Sequence, residues 1–105
     1  MKRLNWFAAA ALSCIAAPAL AQDAQALLRD KGCLACHSID TKVVGPAYKD
    51  VAKKFAGRKD AEAYLSKRII EGSKGEWGPI EMPPNKTVVS ELQAHTLAKY
   101  ILSLK

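Results

Sequence analysis

The chain has 105 residues, half of them hydrophobic and a quarter charged, with 16 basic against 10 acidic side chains and a net charge of +6. That length holds one small domain. With no arginine-rich stripe and no regularly spaced stacking aromatics, the basic balance points away from nucleic acid and toward docking on an acidic protein surface.

Met1-Lys2-Arg3, an apolar run from Trp6 to Ala17 and then Ala19-Leu20-Ala21 follow the basic, apolar and A-x-A pattern of a secretory signal peptide over residues 1–21. Cleavage after Ala21 leaves 84 of the 105 residues, a domain over 22–105 that starts at Gln22 and carries 14 basic against 10 acidic side chains, or +4. The apolar run is too short to span a bilayer comfortably and no later segment is long and uncharged enough, so no membrane anchor is expected and the expected destination is the periplasm. Ala11-Leu12-Ser13-Cys14 offers a weaker alternative, lipidation at Cys14, which would tether the protein.

Four helices are predicted in the remaining chain, with no strand. The first runs from Ala24 to Lys31, capped by Asp23 and stopped by Gly32, with Leu27 and Leu28 as its apolar face. Next comes Cys33-Leu34-Ala35-Cys36-His37, the C-x-x-C-H pattern of c-type haem attachment. Cysteines at i and i+3 share one face of a helical turn, so both sulfurs can add to one edge of a porphyrin, and His37 is then carried under the ring as an iron ligand. A thioredoxin-like site would need a strand before Cys33, and none is legible. A closed zinc site would need four ligands, where only the two cysteines, His37 and a distant His95 are on offer.

The second helix is predicted from Pro46 to Gly57, burying Val51, Ala52 and Phe55 while Lys49, Lys53 and Lys54 stay in water. The third is capped by Asp60 and closed by Gly72, turning Tyr64, Leu65, Ile69 and Arg68 inward or toward the cofactor. Ser73 to Val89 forms a loop, and one this long in so small a domain is usually functional. At its centre Pro83 and Pro84 restrict the backbone beside Met82. A thioether is a soft, neutral ligand, so Met82 is the expected sixth ligand of the iron. The last helix runs from Glu91 to Leu104, opened by a Ser90/Gln93 capping box, with Leu97, Tyr100, Ile101 and Leu104 at helical spacing. His95 falls on its polar side, where a solvated histidine is expected.

With these pieces in place the chain resembles the small bacterial class I cytochromes c, of the cytochrome c-551 type. The likeness rests on Lys31-Gly32-Cys33 through His37, Ile39-Asp40-Thr41-Lys42, Val44-Gly45-Pro46-Ala47-Tyr48-Lys49-Asp50-Val51-Ala52, Trp77-Gly78-Pro79-Ile80, Met82-Pro83-Pro84-Asn85 and Thr96-Leu97-Ala98-Lys99. The resemblance implies an all-α fold of about four to five helices wrapped around one haem c, covalent through Cys33 and Cys36, with iron held by His37 and Met82. It further implies that the Pro46 carbonyl accepts a hydrogen bond from His37, that Arg68 and Trp77 bond a haem propionate, and that Asn85 orients the axial methionine.

Two departures from the family pattern stand out. Glu81 replaces the proline common before the axial methionine, and its carboxylate is expected to favour the ferric state by a small, screened amount. Leu28 and Tyr100 stand where larger aromatics are common between the terminal helices, so that contact is expected to bury less area.

The function implied is that of a diffusible electron carrier and not an enzyme, since two axial ligands leave no open site. His95 forms no evident distal pocket that would favour a ligand-binding enzyme or gas sensor. Transient docking of a monomer is expected at the haem edge near Cys33 to Cys36 and the Met82 loop, inside a rim including Lys31, Lys42, Lys49 and Lys86. The resemblance implies nitrite reductases, terminal oxidases or peroxidases as acceptors, and a cytochrome bc complex or a copper protein as donor.

Overall fold

A computed structural model describes residues 19–105, with side chains described from 24 onward. The expected signal peptide, apart from its last three residues, and Cys14 lie outside the described residues. Four helices follow in order: α1 Ala19–Asp30, α2 Tyr48–Phe55, α3 Ala61–Glu71 and α4 Glu91–Leu102. A single 3-10 turn, Cys33–Ala35, sits between α1 and α2. The described residues contain two isolated bridges, His37 with Lys42 and Ser73 with Met82, and no longer strand pairing.

α4 is the hub, packing on α1, α2 and α3. Its Ala94 and Ala98 are fully buried and let neighbouring helices approach closely, while Leu97 fills the centre at 1% exposure. Leu28, Val51, Phe55, Leu65, Ile69 and Ile101 complete the core. The α1/α4 contact forms with the smaller residues present: Leu28 is buried, and Gln25 Nε2 donates to the Tyr100 hydroxyl at 3.1 Å.

Several helix ends differ from expectation. α1 begins at Ala19, so Asp23 is an interior residue and not its cap. α2 begins two residues after Pro46, with extended Ala47 (φ −61°, ψ 142°) as its N-cap, because the Pro46 carbonyl is turned toward His37 instead. Asp60 stands at the N-cap of α3 without capping it. Its two carboxylate oxygens are held by Arg58 at 2.6 and 3.1 Å, and that pair keeps the Asp60 carboxyl below its ordinary range. The capping box on α4 forms as expected, Ser90 Oγ accepting from the Gln93 amide and Gln93 Oε1 from the Ser90 amide. That helix stops at Leu102, two residues early. His95 is half exposed, but it is not free in solvent: its Nδ1 lies 3.0 Å from Glu62 Oε2, tying α4 to α3.

Candidate cofactor cleft

The turn after α1 sets the cleft. Gly32 adopts φ 77°, a left-handed conformation that glycine takes without strain, and reverses the chain into the 3-10 turn. Cys33 and Cys36 carry free sulfurs, and both line a single open cleft. His37 follows and is buried at 9% exposure.

Three neighbours fix the His37 ring. Its Nδ1 lies 2.8 Å from the carbonyl oxygen of Pro46. That oxygen can only accept, so Nδ1 carries the proton and Nε2 keeps its lone pair, the tautomer a metal ligand needs. Tyr48 stacks on the imidazole with centroids 4.7 Å apart and planes 20° from parallel. Gly45 backs onto the ring so closely that a Cβ there would stand 2.5 Å from Cε1 and 2.9 Å from Nδ1. The Gly45 and Val44 amides both donate to the Cys36 carbonyl, at 2.7 and 3.1 Å, which pulls this segment against the motif.

Met82 lines the same cleft. The Ser73 and Met82 backbones exchange hydrogen bonds of 3.0 and 2.9 Å, so the methionine enters as one rung of a two-residue bridge. Gly72, at φ 84°, lies under that rung, and a Cβ on it would meet the Met82 carbonyl oxygen at 2.5 Å. Asn85 anchors the far end of the loop: its Nδ2 donates to the Ile69 carbonyl at 3.0 Å and the Pro83 carbonyl at 3.3 Å. The Asn85 amide therefore grips backbone on both sides of the Met82 loop and the end of α3.

Arg68 and Trp77 also line the cleft. Arg68 Nη2 reaches Glu71 at 3.6 Å, while Arg68 Nε is buried without a hydrogen-bond partner. A buried unpaired guanidinium donor costs free energy unless a ligand supplies the acceptor, and an anionic group in the cleft would do so. Trp77 is half-buried, with Lys54 Nζ 4.3 Å from its ring centre.

The rest of the wall is mostly apolar, drawn from Leu28, Val51, Leu65, Ile69, Leu97 and Ile101, with Lys42, Ser73, Glu76 and Glu81 as further polar lining, around about 1150 Å³ of empty space, open mouth included. Cys33 and Tyr48 add no charge. Burial pushes the Cys33 thiol above its ordinary range, against a hydrogen bond from Tyr48 that acts the other way. Burial likewise pushes the Tyr48 hydroxyl far up, followed by its proximity to the Cys33 sulfur. Two paired sulfurs, a histidine with a free Nε2, apolar walls and one orphaned cationic donor match a large flat apolar ligand that bears carboxylates and a metal.

The cytochrome c family model matches residues 21–105. The chain belongs to the cytochrome c family. Cytochrome c-551 of Pseudomonas aeruginosa is 60% identical over 91 residues, 87% of this chain and 86% of that protein. Cytochrome c-552 of Nitrosomonas europaea is 46% identical over 100 residues, 95% of this chain and 96% of that protein. The crystal structure of wild-type Nitrosomonas europaea cytochrome c552 superposes with a TM-score of 0.75 at 51% identity, covering 77% of this chain and 99% of that one. The chain is thus an all-α cytochrome of the c-551/c-552 type, an electron carrier whose cofactor is one haem c bound through Cys33 and Cys36.

The structure brings all eight expected site residues to the cleft or its supports: Cys33, Cys36, His37, Pro46, Arg68, Trp77 and Met82 line it, and Asn85 holds the Met82 loop from behind. Sequence reasoning gave no role at the cofactor to Gly45, Tyr48, Gly72 or Glu76. Gly45 was within reach of inference, since a glycine directly before a proline that faces the histidine is a place for close backbone approach. Tyr48, Gly72 and Glu76 carry no such local signal.

Proposed function

We propose that this cytochrome is a periplasmic shuttle in which His37 Nε2 and Met82 Sδ would hold the haem iron. The observation that carries the reading is the convergence of both side chains on one cleft, with His37 already held in the metal-binding tautomer by Pro46. Haem c supplies the one-electron ferric–ferrous couple. The protein supplies the rest. The Pro46 hydrogen bond and the Tyr48 stack keep the imidazole from turning, and the Ser73 bridge and Asn85 clamp keep the thioether from leaving. Ligands that stay in place in both oxidation states keep the rearrangement accompanying electron transfer small. A neutral thioether favours the reduced metal relative to a second histidine. Arg68 Nε, with Trp77 beside it in the cleft wall, is the donor for a propionate.

Docking is assigned to the cleft mouth. Val44 and Ile80 line it and are exposed, at 44% and 62%, and Leu34 and Val43, next in the chain to cleft residues, are exposed at 43% and 53%. Lys31, Lys42 and Lys86 supply a basic rim, while Lys49 is engaged with Asp40 at 2.6 Å and contributes less. An apolar patch inside a cationic rim favours fast, short-lived encounters with acidic partners. Nitrite reductases, terminal oxidases or peroxidases fit as acceptors, and a cytochrome bc complex or a copper protein as donor. Residues 1–21 act as the export signal and 22–105 as the mature monomer.

The test is the absorption spectrum of the ferric, haem-loaded protein. Wild type should show the weak far-red sulfur-to-iron charge-transfer band, and Met82→Ala should lose it. A wild-type spectrum that lacks the band and is high-spin would overturn the ligation. Intact mass of the purified protein checks processing, with Gln22 expected as the first residue.

A further inference from the structure

Two acidic side chains, Glu76 and Glu81, line the haem cleft, and they differ in how their charge is met. Glu81 is exposed and has Lys74 Nζ 3.5 Å away. Glu76 is half-buried. Its Oε2 accepts from the Tyr64 hydroxyl at 2.9 Å and lies 3.4 Å from Ser73 Oγ. Neither hydroxyl carries a positive charge. Among the described residues no cationic nitrogen comes within 4.0 Å of the Glu76 carboxylate.

None of the nearby cations makes an ion pair with the Glu76 carboxylate, although the Arg58 guanidinium, raised first by its bond to Asp60, also feels the Glu76 charge. From α2, Lys54 Nζ donates to the Glu76 backbone carbonyl at 3.4 Å and sits over Trp77. From the turn before α3, Arg58 lies over the Tyr64 ring but is ion-paired with Asp60. From α3, Arg68 is paired with Glu71. In its own loop, Lys74 is taken by Glu81. The Tyr64 hydroxyl registers the charge it touches, being pushed above its ordinary value first by the hydrogen bond to Glu76.

We infer that Glu76 is a potential-setting residue: a carboxylate in the cleft wall with no ion-pair partner, held by Tyr64 and Ser73, that stabilises the oxidised over the reduced cytochrome. Reduction places one more electron at the iron, and a fixed negative charge in a partly water-excluded cleft opposes it. Arg68, whose Nε has no partner although its Nη2 reaches Glu71, works in the opposite sense on the same wall, so the two charges offset each other in part. Glu81, exposed and paired, exerts a weaker pull. The inference rests on haem occupying this cleft, and it deepens the carrier reading by naming the residue that biases which donors and acceptors the protein can serve.

The experiment is spectroelectrochemistry of holoprotein carrying Glu76→Gln, Glu76→Asp or Glu81→Gln, with the far-red band read in the same samples. Gln keeps an oxygen to accept from Tyr64 and removes only the charge; Asp keeps the charge. Glu76→Gln should raise the reduced-to-oxidised ratio at a fixed applied potential by about three- to fivefold, as expected for removal of one partly screened charge from the cleft wall. Glu76→Asp should restore most of the wild-type value, and Glu81→Gln should move it less than Glu76→Gln. An unchanged ratio in Glu76→Gln, or an equal rise in Glu76→Asp, overturns the inference. The band reports on Met82 independently, so loss of axial ligation and absence of a charge effect give different records.

Discussion

The Nδ1 atom of His37 and the carbonyl oxygen of Pro46 lie 2.8 Å apart, and Gly45, directly before that proline, backs closely onto the same imidazole. The hydrogen bond chooses the tautomer and the glycine leaves room for the ring. The pair explains why α2 cannot begin at Pro46, whose carbonyl points at the histidine and not along a helix axis.

Gly45→Ala should therefore act through the ligand and not through backbone strain. The new Cβ would stand 2.5 Å from His37 Cε1, and the ring is boxed in by Tyr48 on another side. Overpacking of this kind costs about 1–3 kcal/mol. Urea unfolding of the holoprotein should show a loss of that size, with a perturbed Soret band as the sign that the imidazole has moved.

Gly72→Ala should loosen the opposite ligand. Gly72 needs φ 84° and has the Met82 carbonyl where a Cβ would go. A strained backbone residue costs about 1–3 kcal/mol, and relief would come by shifting the Ser73–Met82 bridge. The far-red band should weaken or become temperature-sensitive while the haem remains covalently bound. A full-strength, thermally stable band would mean that the bridge absorbs the methyl without moving Met82.

Tyr64 should titrate late. Its hydroxyl is raised above the ordinary value, chiefly by its hydrogen bond to Glu76. A folded-state value above the unfolded one means that the contribution to stability is complete below the unfolded tyrosine range, near pH 10, and is lost as pH rises through the folded value. In an alkaline titration followed by tyrosinate absorbance, Tyr64→Phe should remove a late-ionising group. Glu76→Gln should bring that group's ionisation forward.

Glu81→Gln should raise the reduction potential only slightly. The Glu81 and Lys74 side chains are 60% and 78% exposed, so solvent and the neighbouring cation both screen the charge. The reduced-to-oxidised ratio should change by less than about twofold at low salt and converge on wild type as ionic strength rises. A large or salt-independent change would place Glu81 against the haem in a way the Lys74 pair does not suggest.

Sequence by itself determined the cofactor, the fold class and most of the cleft, because those features are written in short-range order. C-x-x-C-H places two sulfurs and a histidine on one turn whatever follows, Ser90 and Gln93 cap α4 through contacts three residues apart, and the apolar spacing of Leu97 and Ile101 selects the buried face of that helix. The tertiary structure decided what depends on chain segments meeting from afar. Asp60 fails to cap α3 because Arg58 reaches it first. His95 is tied to Glu62 across 33 residues of sequence, and Tyr64 finds Glu76 only once the loop after α3 folds back. Gly72 looks in sequence like any turn glycine, and only packing shows that it lies under the methionine loop. Short-range patterns name the ligands; long-range contacts orient them and set the charge around them.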